Sequence, residues 1–155
     1  GWSPPAEELA EHLRTVALDV DLAEWPAGLA TPLGERGVQV SGGQRQRITV
    51  ARMLLAWARR PQAIGLCDDG LAAVDATTTQ TILDRLRPAL EPRTMVWVAH
   101  RLATVHATCD AIAVLEAGRL TAFDRPAQLL LATDGYYAQT WQLQRTGSRL
   151  GGGHT

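Results

Sequence analysis

Two short apolar runs, each stopping at polar residues, govern how this chain can fold. Ala63 to Cys67 reads AIGLC and ends at the paired acids Asp68 and Asp69, and Thr94 to Ala99 reads TMVWVA and ends at His100. Neither run alternates polar with apolar residues, the pattern of strands covered on both faces in a parallel sheet. Between them the stretch ATTTQTILDRLRPAL places Ile82, Leu86 and Leu90 on one helical face. Strand, helix and strand in that order make the α/β class the expectation, with parallel strands flanked by helices.

The other segments extend this alternation. Ser3 ahead of Pro4 and Pro5 reads as a helix entry, with Ser as the cap and Pro tolerated in the first turn. Leu9, Leu13, Val16 and Ala17 follow at helical spacing. Glu24 to Gly37 carries two prolines and three glycines and reads as loop. A long helix is expected from about Gly43 to Arg59, ended by Pro61. Ala111 to Leu115 and Arg119 to Phe123, joined by EAGR, read as a hairpin with a glycine turn. Two short helices follow, around Pro126 to Ala132 and Gly135 to Gln144, and the tail GSRLGGGHT reads as flexible. The sequence shows no internal repeat.

Composition removes several classes of function. The chain has 155 residues, 46% of them hydrophobic, enough for one domain with a core and hardly for two. Fifteen basic against sixteen acidic residues leave a net charge of -1, so no overall field points to nucleic acid or an anionic membrane. Cys67 and Cys109 lack CxxC spacing and are expected as small core residues in a reducing compartment, not as a disulfide framework or a zinc site. No apolar run approaches the ~20 residues of a membrane-spanning helix, so the piece is expected to be soluble. The start at Gly1 in place of Met suggests a cut or processed end. RQRITVARMLLAWARR is basic but reads as a solvated helix face, and no basic residues interleave with the five tryptophans, so a base-stacking platform is not expected.

Chemistry concentrates at two places. In VSGGQRQRITVARMLL two glycines open the long helix. A helix N-terminus presents unpaired N–H groups and the positive end of the macrodipole, and glycines let an anion or a facing backbone approach. Ser41 can cap the helix or donate to a phosphate, and Gln44 adds an amide; an ordinary capped helix behind a glycine loop is the plainer reading of the same residues. The second place is AIGLCDDGLAAVD, Ala63 to Asp75, where Asp68 ends a strand at the carboxyl edge of the sheet. A carboxylate there can hold Mg²⁺ beside phosphates, and Asp69, facing differently, could orient or deprotonate a water. A solvated acidic turn is again the plainer reading. His100 at the end of the next strand is ambiguous by itself.

Together these residues resemble a known family. VSGGQRQRITVARMLL is similar to the signature motif and helix of ATP-binding cassette (ABC) proteins, IGLCDD to their Walker B strand, LAAVD to their D-loop, and VAHRL to their switch-histidine segment. VLEAGRLTAFDRPAQLL and DGYYAQTWQLQ resemble the C-terminal end of exporter-type cassettes. The resemblance covers residues 5 to 145 and implies an incomplete P-loop NTPase-like fold that lacks the P-loop half. It divides the chain into the end of a helical subdomain with the signature helix (1–60), the C-terminal half of an ATPase core (61–125), C-terminal helices (126–147) and a flexible tail (148–155). It further implies that Ser41, Gly42, Gly43 and Gln44 meet the γ-phosphate of an ATP held mainly by a second nucleotide-binding domain. On the same ground Asp68 serves Mg²⁺, Asp69 and His100 are catalytic, and Asp75 carries signals across the interface.

Two departures qualify what the resemblance implies. No G-x-x-x-x-G-K-[ST] loop occurs and there is no GK pair, so this stretch alone is expected neither to bind ATP tightly nor to hydrolyse it. Asp69 stands where the family usually has glutamate, and LAAVD follows the acids without the usual Ala-Thr or Pro-Thr. An intact signature beside a shortened base resembles one half of a heterodimeric exporter with a weakened site of its own. Gly65 weakens its strand, a further sign of degeneration. The implied setting is the cytoplasmic face of the plasma membrane, reached through a transmembrane domain. The competing readings are a non-catalytic or regulatory fragment that only docks on a cassette partner, and a DNA-repair or chromosome-structure ATPase. The absence of a heptad segment or basic stripe counts against the last.

Overall fold

The structure, a computed structural model, describes residues 3–34, 39–91 and 93–147. Its longest element is helix α3, Gly42–Arg59, preceded by α1 (Ala6–Thr15), α2 (Asp19–Glu24) and a 3-10 turn at Gly28–Ala30. Strand β1 (Gly65–Asp68), helix α4 (Ala76–Leu90) and strand β2 (Met95–Val98) complete the first of two compact units, Gly1–Val98. The second, Ala99–Thr155, holds α5 (Leu102–His106), the β3 (Ile112–Glu116) and β4 (Arg119–Asp124) hairpin, α6 (Pro126–Leu131) and α7 (Tyr136–Thr146). Among the described residues no helix is long and apolar enough to cross a membrane.

In the first unit β1 and β2 pair in parallel, with Leu66 opposite Val96 and Asp68 opposite Val98. The crossover is α4, capped by Asp75 and burying Thr79, Ile82, Leu83 and Leu86. Against these pack Val50, Ala51, Leu54 and Trp57 of α3 with Val16, Leu18, Leu71 and Val74, forming one continuous core. Trp57 explains a residue that looked like decay. A Cβ on Gly65 would lie 2.2 Å from the Trp57 ring, so the indole occupies the space a side chain would need. The strand gives up propensity at Gly65 so that α3 can lie close.

Three expectations need correction. Both parallel strands were expected to be buried on two faces, yet Ile64, Leu66, Val96 and Val98 are 68%, 73%, 50% and 46% exposed. Met95 and Trp97 pack against the core cluster on the other face. Apolar composition on both sides of a strand states what it can bury, not what these residues supply to bury it. Ser3 does not cap α1: Pro5 holds the cap position with no side-chain hydrogen bond. The helix also ends before Val16, because Ala17 adopts a left-handed φ of 53° and Leu18 N–H reaches back to the Leu13 carbonyl at 2.9 Å. With Ala17 N–H bonding the Arg14 carbonyl, this is a Schellman stop built on alanine where glycine is usual. It frees the chain to start α2, which the sequence reading missed.

In the second unit the hairpin turns through Ala117 and Gly118, both at positive φ, the geometry that suits strand twist. Its small core joins Val114, Leu129 and Tyr137. His106 lies beside it, Nδ1 3.0 Å from the Tyr137 hydroxyl and its ring 4.3 Å from that of Trp141. Helix α5, five residues long, is too short to show a period in sequence. Of the tail expected to be flexible, residues 148–155 lie outside the described residues, as do residues 35–37 of the expected loop and Trp2.

Two leucines mark the contrast between core and surface. Leu86, fully buried, should cost about 2–5 kcal/mol on replacement by Ala. Leu66→Ala, at a side chain 73% exposed, should change stability by less than about 0.5 kcal/mol. Denaturant midpoints of the 155-residue chain read both, and equal shifts would contradict this placement of the core.

Candidate functional site

Helix α3 begins with a complete capping box. Ser41 Oγ accepts from Gln44 N–H at 3.1 Å, and Gln44 Oε1 accepts from Ser41 N–H at 2.8 Å. The Gly42 and Gly43 N–H groups lie in the first turn, where α-helix geometry supplies no intrahelical acceptor and the macrodipole is positive. Gly43 also answers to packing, since a Cβ there would stand 2.9 Å from the Ala73 carbonyl oxygen. Gly42 is less constrained, its added Cβ meeting Ala73 Cβ at an ordinary 3.5 Å.

The Gln44 amide is engaged at both ends. While Oε1 closes the capping box, Nε2 donates to Asp21 Oδ1 at 2.7 Å. The second oxygen of Asp21 takes the Arg47 guanidinium at 2.7 Å, and Arg47 Nη1 also donates to the Ala17 carbonyl. Both side chains of this ion pair are largely covered, at 12% and 18% exposure. Burial alone would raise the Asp21 carboxyl; the hydrogen bonds from Arg47 and Gln44 and the Arg47 charge outweigh it and hold the group below its ordinary value. Asp21 is the functional-site neighbour that sequence reading missed. Its one signal was an acid in the first turn of α2, legible only once Ala17 is known to end α1.

Asp68 and Asp69 stand at the carboxyl edge of the parallel pair, as expected. Asp68 is the last residue of β1 and exposed; Asp69 N–H continues the ladder to the Val98 carbonyl at 2.9 Å. Asp69 then turns with φ at 48°, a left-handed conformation costing a non-glycine residue about 1–3 kcal/mol unless its surroundings hold it. The Asp69 carbonyl accepts from Ala72 N–H at 3.0 Å and from Gln46 Nε2 at 3.1 Å. Asp75 caps α4 through Thr78 N–H at 2.9 Å. That bond, with the Thr78 hydroxyl, holds the exposed Asp75 carboxyl below its ordinary value.

Arg45, Gln46 and Thr49 of α3 face Asp68, Asp69 and Gly70 across a shallow cavity of about 200 Å³. Helix α3, just past its capped start, and the acidic turn thus line the same cavity. Cys67 lies beneath, and burial, opposed by a Gly70 backbone hydrogen bond and reinforced by the Asp68 and Asp69 charges, pushes its thiol up. It is a core residue, not a nucleophile. His100 belongs to the second unit and is exposed. Its carbonyl accepts from Gln144 Nε2 at 2.8 Å, while Gln144 Oε1 accepts from Leu102 N–H at 2.9 Å. Among the described residues no group of three or more His, Cys, Asp or Glu could cage a metal.

A capped glycine helix start and an acidic strand end at the carboxyl edge of parallel strands are features with which α/β folds meet anions and nucleotides. No family model matches the chain. It is 35% identical over 144 residues to the mitochondrial ABC transporter B family member 24 of Arabidopsis thaliana, covering 93% of this chain and 20% of that protein. To a mycobactin import ATP-binding/permease protein of Mycolicibacterium thermoresistibile it is 37% identical over 150 residues, 96% of this chain and 25% of the relative. The structure of a bacterial Atm1-family ABC exporter with ATP bound superposes with a TM-score of 0.77 at 36% identity, covering 90% of this chain and 23% of the other. The chain belongs to the ABC transporter family and matches the C-terminal half of an exporter-type nucleotide-binding domain. It spans about a fifth to a quarter of the length of these proteins.

The Asp21 clamp predicts a pH dependence. Because the folded carboxyl titrates below its unfolded value of about 3.9, its stabilisation is fully present above that pH and is lost as pH falls through the folded value. Asp21→Asn should therefore unfold earlier than the parent near neutrality, with the gap closing as the pH drops below about 4. Urea midpoints across this range check it; a gap that widens on acidification would refute the clamp.

Proposed function

We propose that this chain is the ATP-binding component, in part, of an ABC-type membrane transporter, in which ATP hydrolysis drives transport. The observation that carries the reading is the pairing of a glycine-opened, fully capped start of α3 with two acids at the carboxyl end of β1. The Gly42 and Gly43 amides and Ser41 would meet the γ-phosphate of an ATP held mainly by a second nucleotide-binding domain, with Gln44 acting through the cap it closes. Asp68, exposed at the strand end, suits Mg²⁺, which takes one or two carboxylates and completes its shell with phosphates and water. Bound there, Mg²⁺ would neutralise phosphate charge. At the nucleotide on this chain's own side, which Asp68 and its Mg²⁺ serve, Asp69 would orient a water or take its proton and His100 would touch the γ-phosphate, while Asp75 would lie in the domain interface.

All fifteen basic residues are arginine, so these 155 residues hold no lysine of the P-loop kind. Titration calorimetry of these 155 residues with Mg-ATP should therefore show no micromolar binding, and a clear micromolar isotherm would overturn the expectation that they need a P-loop from elsewhere to hold the nucleotide.

Asp69 is one methylene shorter than glutamate, which withdraws the base from its target. We assign this chain to the slower site of a heterodimeric pair, lending its signature to the partner's faster one. Asp69→Glu in the assembled transporter should raise turnover at this chain's own site, by up to about a hundredfold. Unchanged hydrolysis in single-site trapping would count against the assignment.

A transmembrane domain places such a segment at the cytoplasmic face of a membrane. The Atm1-family neighbour supports export. Direction and membrane are set outside this segment, since relatives of similar identity carry the words import and mitochondrial in their names.

A further inference from the structure

Gln46 lies on α3 two residues past the capping glutamine, and its amide spans a single loop. Nε2 donates to the Asp69 carbonyl at 3.1 Å, and Oε1 accepts from Ala73 N–H at 2.7 Å. The bridged loop is the one in which Asp69 holds its left-handed φ of 48°. A non-glycine residue keeps such a conformation when its neighbours over-determine it. Asp69 N–H is tied to Val98 and its carbonyl to Ala72, so the ladder fixes the entry to the loop and Gln46 ties its entry to its exit. Ala73 is itself pressed by Gly43 in the first turn of the same helix.

We propose that Gln46 is the positioning residue for Asp69: it locks the loop in the posture that directs the Asp69 carboxylate into the cavity, and it makes the α3 start and that carboxylate one rigid body. This rests on the reading of Asp69 as the water-directing group. The geometry gives Gln46 a requirement that a surface glutamine lacks, a donor and an acceptor on one planar amide at the separation of two backbone groups. Glutamate supplies the acceptor but not the donor. Release of the loop rotates the Asp69 Cα–Cβ bond, and a shift near 1 Å at a reacting group can cost on the order of a hundredfold in rate.

The test uses the complete transporter ATPase carrying this segment. Single-turnover Mg-ATP hydrolysis and thermal midpoints are measured for Gln46→Ala, Gln46→Glu, Asp69→Asn and the double variant Gln46→Ala/Asp69→Asn. Expected are falls of about tenfold or more in rate for both Gln46 variants, with KM held within about twofold. The double variant should be no slower than Asp69→Asn alone, the signature of two residues acting as a unit. Losses that multiply in the double variant, or that follow the thermal midpoint and vanish per folded molecule, would reduce Gln46 to a packing residue and overturn the proposal. A slow Asp69→Asn beside Gln46 variants at the parent rate would overturn it while leaving the reading of Asp69 intact. Asp69→Asn at the parent rate would remove that reading, and the positioning role with it.

Discussion

The contact between the Trp57 ring and the backbone of β1 at Gly65 is the one on which the rest of the first unit depends. It brings α3 closer to the strand than any side chain at Gly65 would allow. At the other end of the helix, Gly43 brings the same axis against the Ala73 carbonyl. An eighteen-residue helix, about 27 Å long, is thereby held at both ends by glycine contacts, one in its first turn and one beneath its last. The core residues between them, Val50, Ala51 and Leu54, fill a gap whose width those two contacts set.

Much of this was legible in sequence, and for physical reasons. The strands around Leu66 and Val96, the crossover helix with Ile82 and Leu86, and the hairpin around Ala117–Gly118 are each dictated by local pattern and turn chemistry. So is the cap at Ser41, because the Ser41–Gln44 spacing is itself the capping box. What escaped depends on contacts between segments distant in the chain. Asp21 meets Gln44 and Arg47 across more than twenty residues, and no rule of spacing connects them. Ala17 stops a helix in a conformation that a sequence reading reserves for glycine or asparagine. Gly65 looked like a defect because the ring that requires it lies eight positions earlier, on another element.

Two glutamines serve functional turns in the same manner. Gln46 bridges the Asp69 carbonyl and the Ala73 N–H, and Gln144 bridges the His100 carbonyl and the Leu102 N–H. In each unit a side-chain amide on a helix completes hydrogen bonds that a turn after a strand cannot make within itself. A short polar turn gains a fixed shape this way without added hydrophobic burial. Asp69 and His100 stand in these turns, and the amides that shape them come from helices distant in the chain. A motif places Asp69 and His100 in sequence but says nothing of the distant amide that holds each turn.

The uncovered faces have a consequence apart from chemistry. Ile64, Leu66, Val96 and Val98 on one pair of strands, and Leu115, Leu120 and Phe123 on the hairpin, stay open to water among the described residues. Aliphatic strand surface of this kind pairs readily with another copy's when nothing else covers it. Kept by themselves, these 155 residues would meet one another through those faces first, so their concentration, more than their chemistry, would set how long they stay dispersed.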